Sequence, residues 1–323
     1  MNAKLAAKAA AQGNAFLRHQ ALSAGYNSDE VNRLRGNRTW VTIRRGAYVQ
    51  AEVWDGMSAE ERHTALVHAV VLSLDKPAVV SHASAAVLLG LPTWRLDQSL
   101  VHVTRADLHA PRVEGGVKHH AATLFPGDVV DIDGLSVTAP ARTVIDIARE
   151  YEFAPSVVVA DAALREKHLD GSDELLRSLD RVRDWPGARS AGRVVEFADG
   201  RSASVGESRC RVLLEQAGLP RPELQVPIYD PRTGGLVGIT DFYFAEQRTI
   251  GEFDGKQKYT GDIAGDEDPG EIVWREKKRE DRLRDLGYQV VRVITPDFDR
   301  PKEVGKRFRK AFARATGHGR FIA

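Results

Sequence analysis

Asp241, Glu252 and Asp254 are the residues whose type and spacing best suit chemistry, because they fall at matching positions on two adjacent apolar strands. The strands, 237–244 and 249–253, meet at the turn Ala245-Glu246-Gln247-Arg248. Any even loop centred between Glu246 and Gln247 sets Asp241 opposite Glu252, Tyr243 opposite Ile250 and Ile239 opposite Asp254. Asp254 lies two residues beyond Glu252 and so shares its face, while Phe242, Phe244 and Phe253 take the other. A slip of one residue would put the phenylalanines in water, so pattern and register agree. Three carboxylates on one face repel each other, and exposure, a divalent cation or a cationic partner must relieve them. Oxygen-only donors suit Mg²⁺ or Mn²⁺, ions that activate water and stabilise charge developing on phosphate. Asp241, Glu252 and Glu207 are the candidate metal ligands. Ser204 and Glu207 also spell an S-x-x-E capping box, and Glu207 serves both roles only if it faces the hairpin. Lys256 and Lys258 follow the strand directly and are the candidates for orienting water or stabilising charge.

The elements around this centre read helix (205–217), strand (224–228), the hairpin, helix (272–286), strand (289–293) and helix (302–315). Pro227 confines the first strand to a sheet edge. On the 272–286 helix, arginines and lysines interleave with Glu276, Glu280, Asp281 and Asp285, which fits a salt-bridged surface as well as a nucleic-acid contact. The last helix is clearer. Val304, Phe308, Phe312 and Ala315 form its buried stripe, leaving Lys306, Arg307, Arg309, Lys310 and Arg314 outward for phosphate contacts.

The N-terminal 52 residues read as three helices followed by strands 40–44 and 47–50 around Arg45-Gly46, the layout of a winged helix-turn-helix. Arg33 and Arg35 fall on the third helix, Arg38 just after it, and Arg44 and Arg45 at the wing tip, so all five are candidates for DNA contact. The net charge of +1 hides this. Residues 18–45 carry six arginines against Asp29 and Glu30, giving +4, and residues 300–314 carry seven basic residues against Glu303, giving +6. The middle, 53–197, reads as a mixed α+β connector. Its histidines (His82, His102, His109, His119, His120) lack the short paired spacing of metal ligands and are expected to be structural or surface residues.

A chain of 323 residues exceeds the usual single core, and divides as 1–52, 53–197 and 198–323, an α+β multidomain protein. Its hydrophobic fraction of 42% is ordinary for a globular protein. No apolar run approaches the ~20 residues of a membrane span, and no apolar core follows the alanine-rich start, so a cytoplasmic location is expected. The single cysteine, Cys210, excludes an intrachain disulfide and falls within a helix as a packed thiol.

From residue 204 to 296 the chain resembles the very short patch repair endonucleases of the PD-(D/E)XK superfamily. The resemblance rests on Ser204/Glu207, on Leu219, Pro220, Pro222 and Gln225, on Asp241-Phe242, on Glu252-Phe253-Asp254-Gly255, on Glu276-Lys277 through Arg284, and on Gly287 through Arg292. It implies an α/β restriction-endonuclease-like domain and metal-dependent DNA cleavage, with Asp241 and Glu252 as ligands and Glu207 and Asp254 assisting. The superfamily lysine is replaced by Asp254, and Lys258 stands where this group has histidine, so a lysine must come from Lys256 or Lys258. The N-terminal part is similar to the winged-helix domain of AbiEi-type antitoxins through Gly25, the arginine-rich third helix and Trp40 to Tyr48, as is Ser81 to Leu91 in the middle. That resemblance implies DNA binding, repression of an operon and a cognate toxin. Two functions follow: a DNA-targeted, Mg²⁺-dependent endonuclease, or an antitoxin-like regulator with an inactive nuclease fold.

Overall fold

The computed structural model describes residues 1–255 and 269–318 of a mixed α+β protein. Two compact units divide it, one comprising residues 1–159 and 167–196, the other residues 160–166 and 197 onward.

The first unit opens with α1 (Ala3–Ala10), β1 (Phe16–Leu17), α2 (Arg18–Ser23), α3 (Ser28–Gly36), β2 (Trp40–Arg44) and β3 (Ala47–Gln50). Asn27 caps α3, accepting the Glu30 N–H at 2.9 Å while the Glu30 carboxylate takes the Asn27 N–H at 2.8 Å. Leu5, Phe16, Ala21, Val31, Trp40 and Tyr48 close a small core beneath these helices, with the Phe16 ring edge-on to Trp40 at 4.8 Å. The two-residue strand β1 pairs with β3 and so lengthens the hairpin into a three-stranded sheet, order β1-β3-β2.

α4 (Ala51–Gly56), α5 (Ala59–Val71), β4 (Val79–Val80), α6 (His82–Leu88), β5 (Val101–Arg105), β6 (Arg112–Glu114), β7 (Val117–Ala121), β8 (Val129–Ile132), β9 (Leu135–Thr138), α7 (Pro140–Glu150), α8 (Phe153–Arg165), α9 (Ser172–Arg181) and α10 (Ala188–Phe197) follow. The strands form one six-stranded sheet, order β6-β7-β5-β4-β9-β8, in which β5 and β7 run parallel. α8 changes unit part-way, its residues to Val159 belonging to the first and those from Ala160 to the second.

The second unit adds α11 (Val205–Gln216), β10 (Glu223–Tyr229), β11 (Leu236–Phe244), β12 (Thr249–Asp254), α12 (Pro269–Asp285), β13 (Gln289–Ile294) and α13 (Pro301–His318). Its sheet runs β10-β11-β12-β13, with β10 at the edge that Pro227 requires, and β12 and β13 parallel. Phe242, Phe244 and Val293 pack on one face with Cys210, Leu213 and Leu214 of α11 and Val304 and Phe308 of α13. On the other face Ile250 packs with Leu283 of α12. Lining both faces with helices buries both sides of the hairpin, which is why Glu252 cannot stay in water.

Candidate functional site

The β11–β12 ladder pairs Tyr243 with Ile250 and Phe242 with Gly251. This is the register that loop parity predicts. One step on, where the paired ladder stops, Asp241 Oδ2 accepts the Phe253 N–H at 2.8 Å, a side chain taking over from the backbone. Across β12, Glu252 neighbours Arg292 and Asp254 neighbours Ile294 on parallel β13.

Arginines neutralise this face. Arg279 of α12 sets Nη2 2.6 Å from Glu252 Oε1 and 2.7 Å from Glu276 Oε1. Arg292 of β13 reaches Glu280 at 2.7 Å, Asp254 at 3.4 Å and Glu276 at 3.6 Å. Glu252 is only 7% exposed, and burial raises its pKa against the opposing pull of Arg279. Burial likewise works against the Arg279 charge, but Glu276 and Glu252 outweigh it and hold the guanidinium pKa above its usual value.

Glu207 is occupied elsewhere. Its N–H is capped by Ser204 Oγ at 3.1 Å, and its carboxylate accepts the Ala203 N–H at 2.8 Å, the Ser204 hydroxyl at 3.1 Å and the Gln225 amide at 2.9 Å. Gln225 adopts φ +54°, a rare conformation for a residue other than glycine, asparagine or aspartate. Gly206 lets the start of α11 meet the Phe253 ring, since a Cβ there would fall inside contact distance. Cys210 is fully buried, and burial, then the nearby Asp241 charge, raises its thiol pKa.

The donors Asp241, Glu252 and Glu207 are oxygen, the right chemistry for Mg²⁺ or Mn²⁺. Their arrangement does not fit an ion. Among the described residues the group of three whose ligand atoms all lie within 4.8 Å of one another is a set of histidines, not these carboxylates. Arg279 is seated on Glu252 and the Glu207 carboxylate is taken up by its cap, so these carboxylates are not placed to ligate an ion. Lys256 and Lys258 lie outside the described residues.

Of the candidate DNA contacts, Arg33 and Arg35 on α3, Arg38 and Arg45 are exposed, and Arg44 is half-buried. Arg38 pairs with Asp55 at 3.5 Å with both side chains in solvent, a weak attachment. On α13, Lys306, Arg307 and Lys310 are exposed opposite the buried Val304 and Phe308, though Arg307 is held by Asp297 at 2.5 Å.

The histidine set is the feature that sequence reasoning missed. His82 at the start of α6, His102 on β5 and His120 on β7 come together, all buried. The His82 and His120 rings stack with centroids 3.6 Å apart, and His102 Nδ1 is 3.1 Å from His120 Nε2. Glu150 Oε2 stands 3.6 Å from both His82 Nε2 and His120 Nδ1, and Lys118 pairs with Glu150. His82 and His120 line a cavity of about 600 Å³ with Glu150, Arg149, Asp146 and Trp185. His119 is buried on the opposite face of β7 from His120, and His109 is exposed. The residues of the set are 20 and 18 positions apart, and only the parallel pairing of β5 with β7, which sets His102 against Lys118 and Thr104 against His120, brings the second and third diagonally together on one face.

The fold and site thus define a mixed α+β protein with an arginine-neutralised acidic face in one unit and a buried imidazole cluster in the other. Two relatives, "Uncharacterized protein MT2308" and "Uncharacterized protein Rv2248" from two strains of Mycobacterium tuberculosis, are each 28% identical over 282 residues, covering 86% of this chain and 97% of theirs. No family model matches the chain. Among the described residues no helix is long and apolar enough to cross a membrane.

Proposed function

We propose that this protein binds DNA through its first unit as an antitoxin-like transcriptional regulator, and that its second unit has a nuclease-type fold whose acidic centre is silent. The observation that carries the reading is the 2.6 Å pair of Arg279 with buried Glu252. A guanidinium bonded to that carboxylate stands where a divalent ion would need its ligand, and it relieves the same charge repulsion. Support for a nuclease-type domain comes from the order α11-β10-β11-β12-α12-β13 and from the motif residues at the end of the hairpin. Support for a winged helix-turn-helix comes from three helices followed by a hairpin with exposed Arg33, Arg35 and Arg45. A cognate toxin is the partner such a regulator would have.

Titrating the protein with duplex DNA from upstream of its own coding region tests this. Binding is expected to survive Asp241→Ala and to weaken in Arg33→Ala/Arg35→Ala. Binding indifferent to those arginines would overturn the reading.

A second reading, a Mg²⁺- or Mn²⁺-dependent endonuclease, is favoured by Asp241 standing at the strand end beside the Glu252-Phe253 peptide, whose Phe253 N–H it accepts. It requires Glu252 to leave Arg279, with Lys256 or Lys258 supplying the ammonium. Metal-dependent plasmid nicking that vanishes in Asp241→Ala and Glu252→Ala would establish it, and no nicking would remove it.

A further inference from the structure

We propose that His82, His102 and His120 form a binding site for a divalent transition metal of the zinc class, with Glu150 as an outer partner behind the His120 ring and the fourth position left to water. This site lies in the first unit and stands or falls independently of the acidic hairpin.

The number and type of donors come first. Three imidazoles offer ligand nitrogens that all lie within 4.8 Å of one another. A tetrahedral ion with bonds of about 2.0–2.1 Å sets its ligands roughly 3.3 Å apart. His102 Nδ1 and His120 Nε2 already stand at 3.1 Å, while Glu150 Oε2 lies 3.6 Å from His82 Nε2 and 3.6 Å from the far nitrogen of His120, Nδ1, where a carboxylate orients a ligating ring from outside. Closing the set requires the His82 and His120 rings, now stacked at 3.6 Å, to turn out of their stack so that both nitrogens point at the ion. Imidazole donors select zinc, cobalt or nickel over the hard cations that an all-oxygen site prefers.

The surroundings fit ligation as well. His82 Nδ1 lies 3.0 Å from Ser81 Oγ, which in turn accepts the Thr104 hydroxyl at 2.8 Å. Such an outer hydrogen bond fixes ring orientation and leaves Nε2, the nitrogen facing Glu150, for the ion. His82 adopts φ +53°, an uncommon backbone state for a residue other than glycine, asparagine or aspartate. All three rings are kept neutral, the form that binds metal: burial, followed by the neighbouring charges, lowers each pKa. The cavity lined by His82, His120 and Glu150 provides an entry path for the ion.

The test uses the tag-free full-length chain, stripped with chelator and titrated with Co²⁺ alone. The expected result is the intense visible absorption of four-coordinate Co²⁺, saturating at one equivalent and displaced by Zn²⁺, with a rise in unfolding temperature when Zn²⁺ is added. His102→Gln and His120→Gln, checked for folding by circular dichroism, should lose the band. Glu150→Gln should bind about 10–100-fold more weakly, and Glu252→Gln should bind as the wild type does. A wild-type chain giving neither the band nor a Zn²⁺-dependent rise overturns the proposal and leaves three imidazoles that merely pack. A band retained in folded His120→Gln overturns it equally.

Discussion

Replacing Arg279 with methionine removes the guanidinium from Glu252 while keeping a side chain of similar length under α12. Glu252 is then a buried carboxylate whose nearest remaining counter-charge is Arg292, already shared among Glu280, Asp254 and Glu276. Breaking one partner of a buried pair costs about 3–5 kcal/mol when the other stays charged. A carboxyl can escape that cost by taking up a proton. With an unfolded pKa of about 4.3, protonation at pH 7 costs about 3.7 kcal/mol, which is therefore the ceiling for this group. The sign follows from the raised folded pKa. Stability is retained below the unfolded value and lost as pH rises towards the folded one, at about 1.4 kcal/mol per pH unit. The variant should thus be less stable than wild type by about 3 kcal/mol at pH 7 and only about 1 kcal/mol at pH 5. Urea unfolding followed by circular dichroism at the two pH values measures this. An equal loss at both, or less than about 1 kcal/mol at pH 7, would refute the claim that Arg279 neutralises Glu252. Excess Mg²⁺ should stabilise the variant more than wild type only if the freed carboxylates can hold the ion.

Burial depresses the pKa of His102 to about 4, that of His120 to about 3 and that of His82 well below the usual value, so acid must charge them on unfolding. The metal-free chain should therefore lose stability as pH falls below about 6.5 towards 4, by up to about 1.4 kcal/mol per pH unit for each imidazole, and a flat profile would contradict it. Arg33→Ala/Arg35→Ala should reduce the slope of log affinity for duplex DNA against log salt by about 1.8, two phosphate contacts' worth, as read by fluorescence anisotropy. Gly206→Ala forces a methyl into the Phe253 ring and should cost about 1–3 kcal/mol in urea unfolding, whereas a neutral result would mean that α11 does not press on β12.

Much of the acidic hairpin is legible in sequence because its information is local. A four-residue turn and alternating phenylalanines fix the pairing of Tyr243 with Ile250, and hence bring Asp241 to the strand end where it accepts the Phe253 N–H. What relieves their charge is not local. Arg279 lies 27 residues beyond Glu252, on a helix whose mixed charges read equally as a solvated surface, and only the crossover from β12 to β13 through α12 brings it back over the sheet. The histidines are harder still, since strand order in the six-stranded sheet decides which of them meet. β1 and β4 have two residues each, too short for an alternation pattern to declare itself. Ser204 and Glu207 show the reverse case: the capping signature described the local structure, and the cap uses the carboxylate that a metal site would need.

Incubating supercoiled plasmid and a duplex from upstream of the coding region with the full chain and Mg²⁺ or Mn²⁺, and following retention and nicking together, tests the central claim most directly. The account predicts retained DNA that stays intact whichever ion is present, with retention lost in Arg33→Ala/Arg35→Ala. Metal-dependent nicking abolished by Asp241→Ala and Glu252→Ala would contradict it and return the hairpin to catalysis.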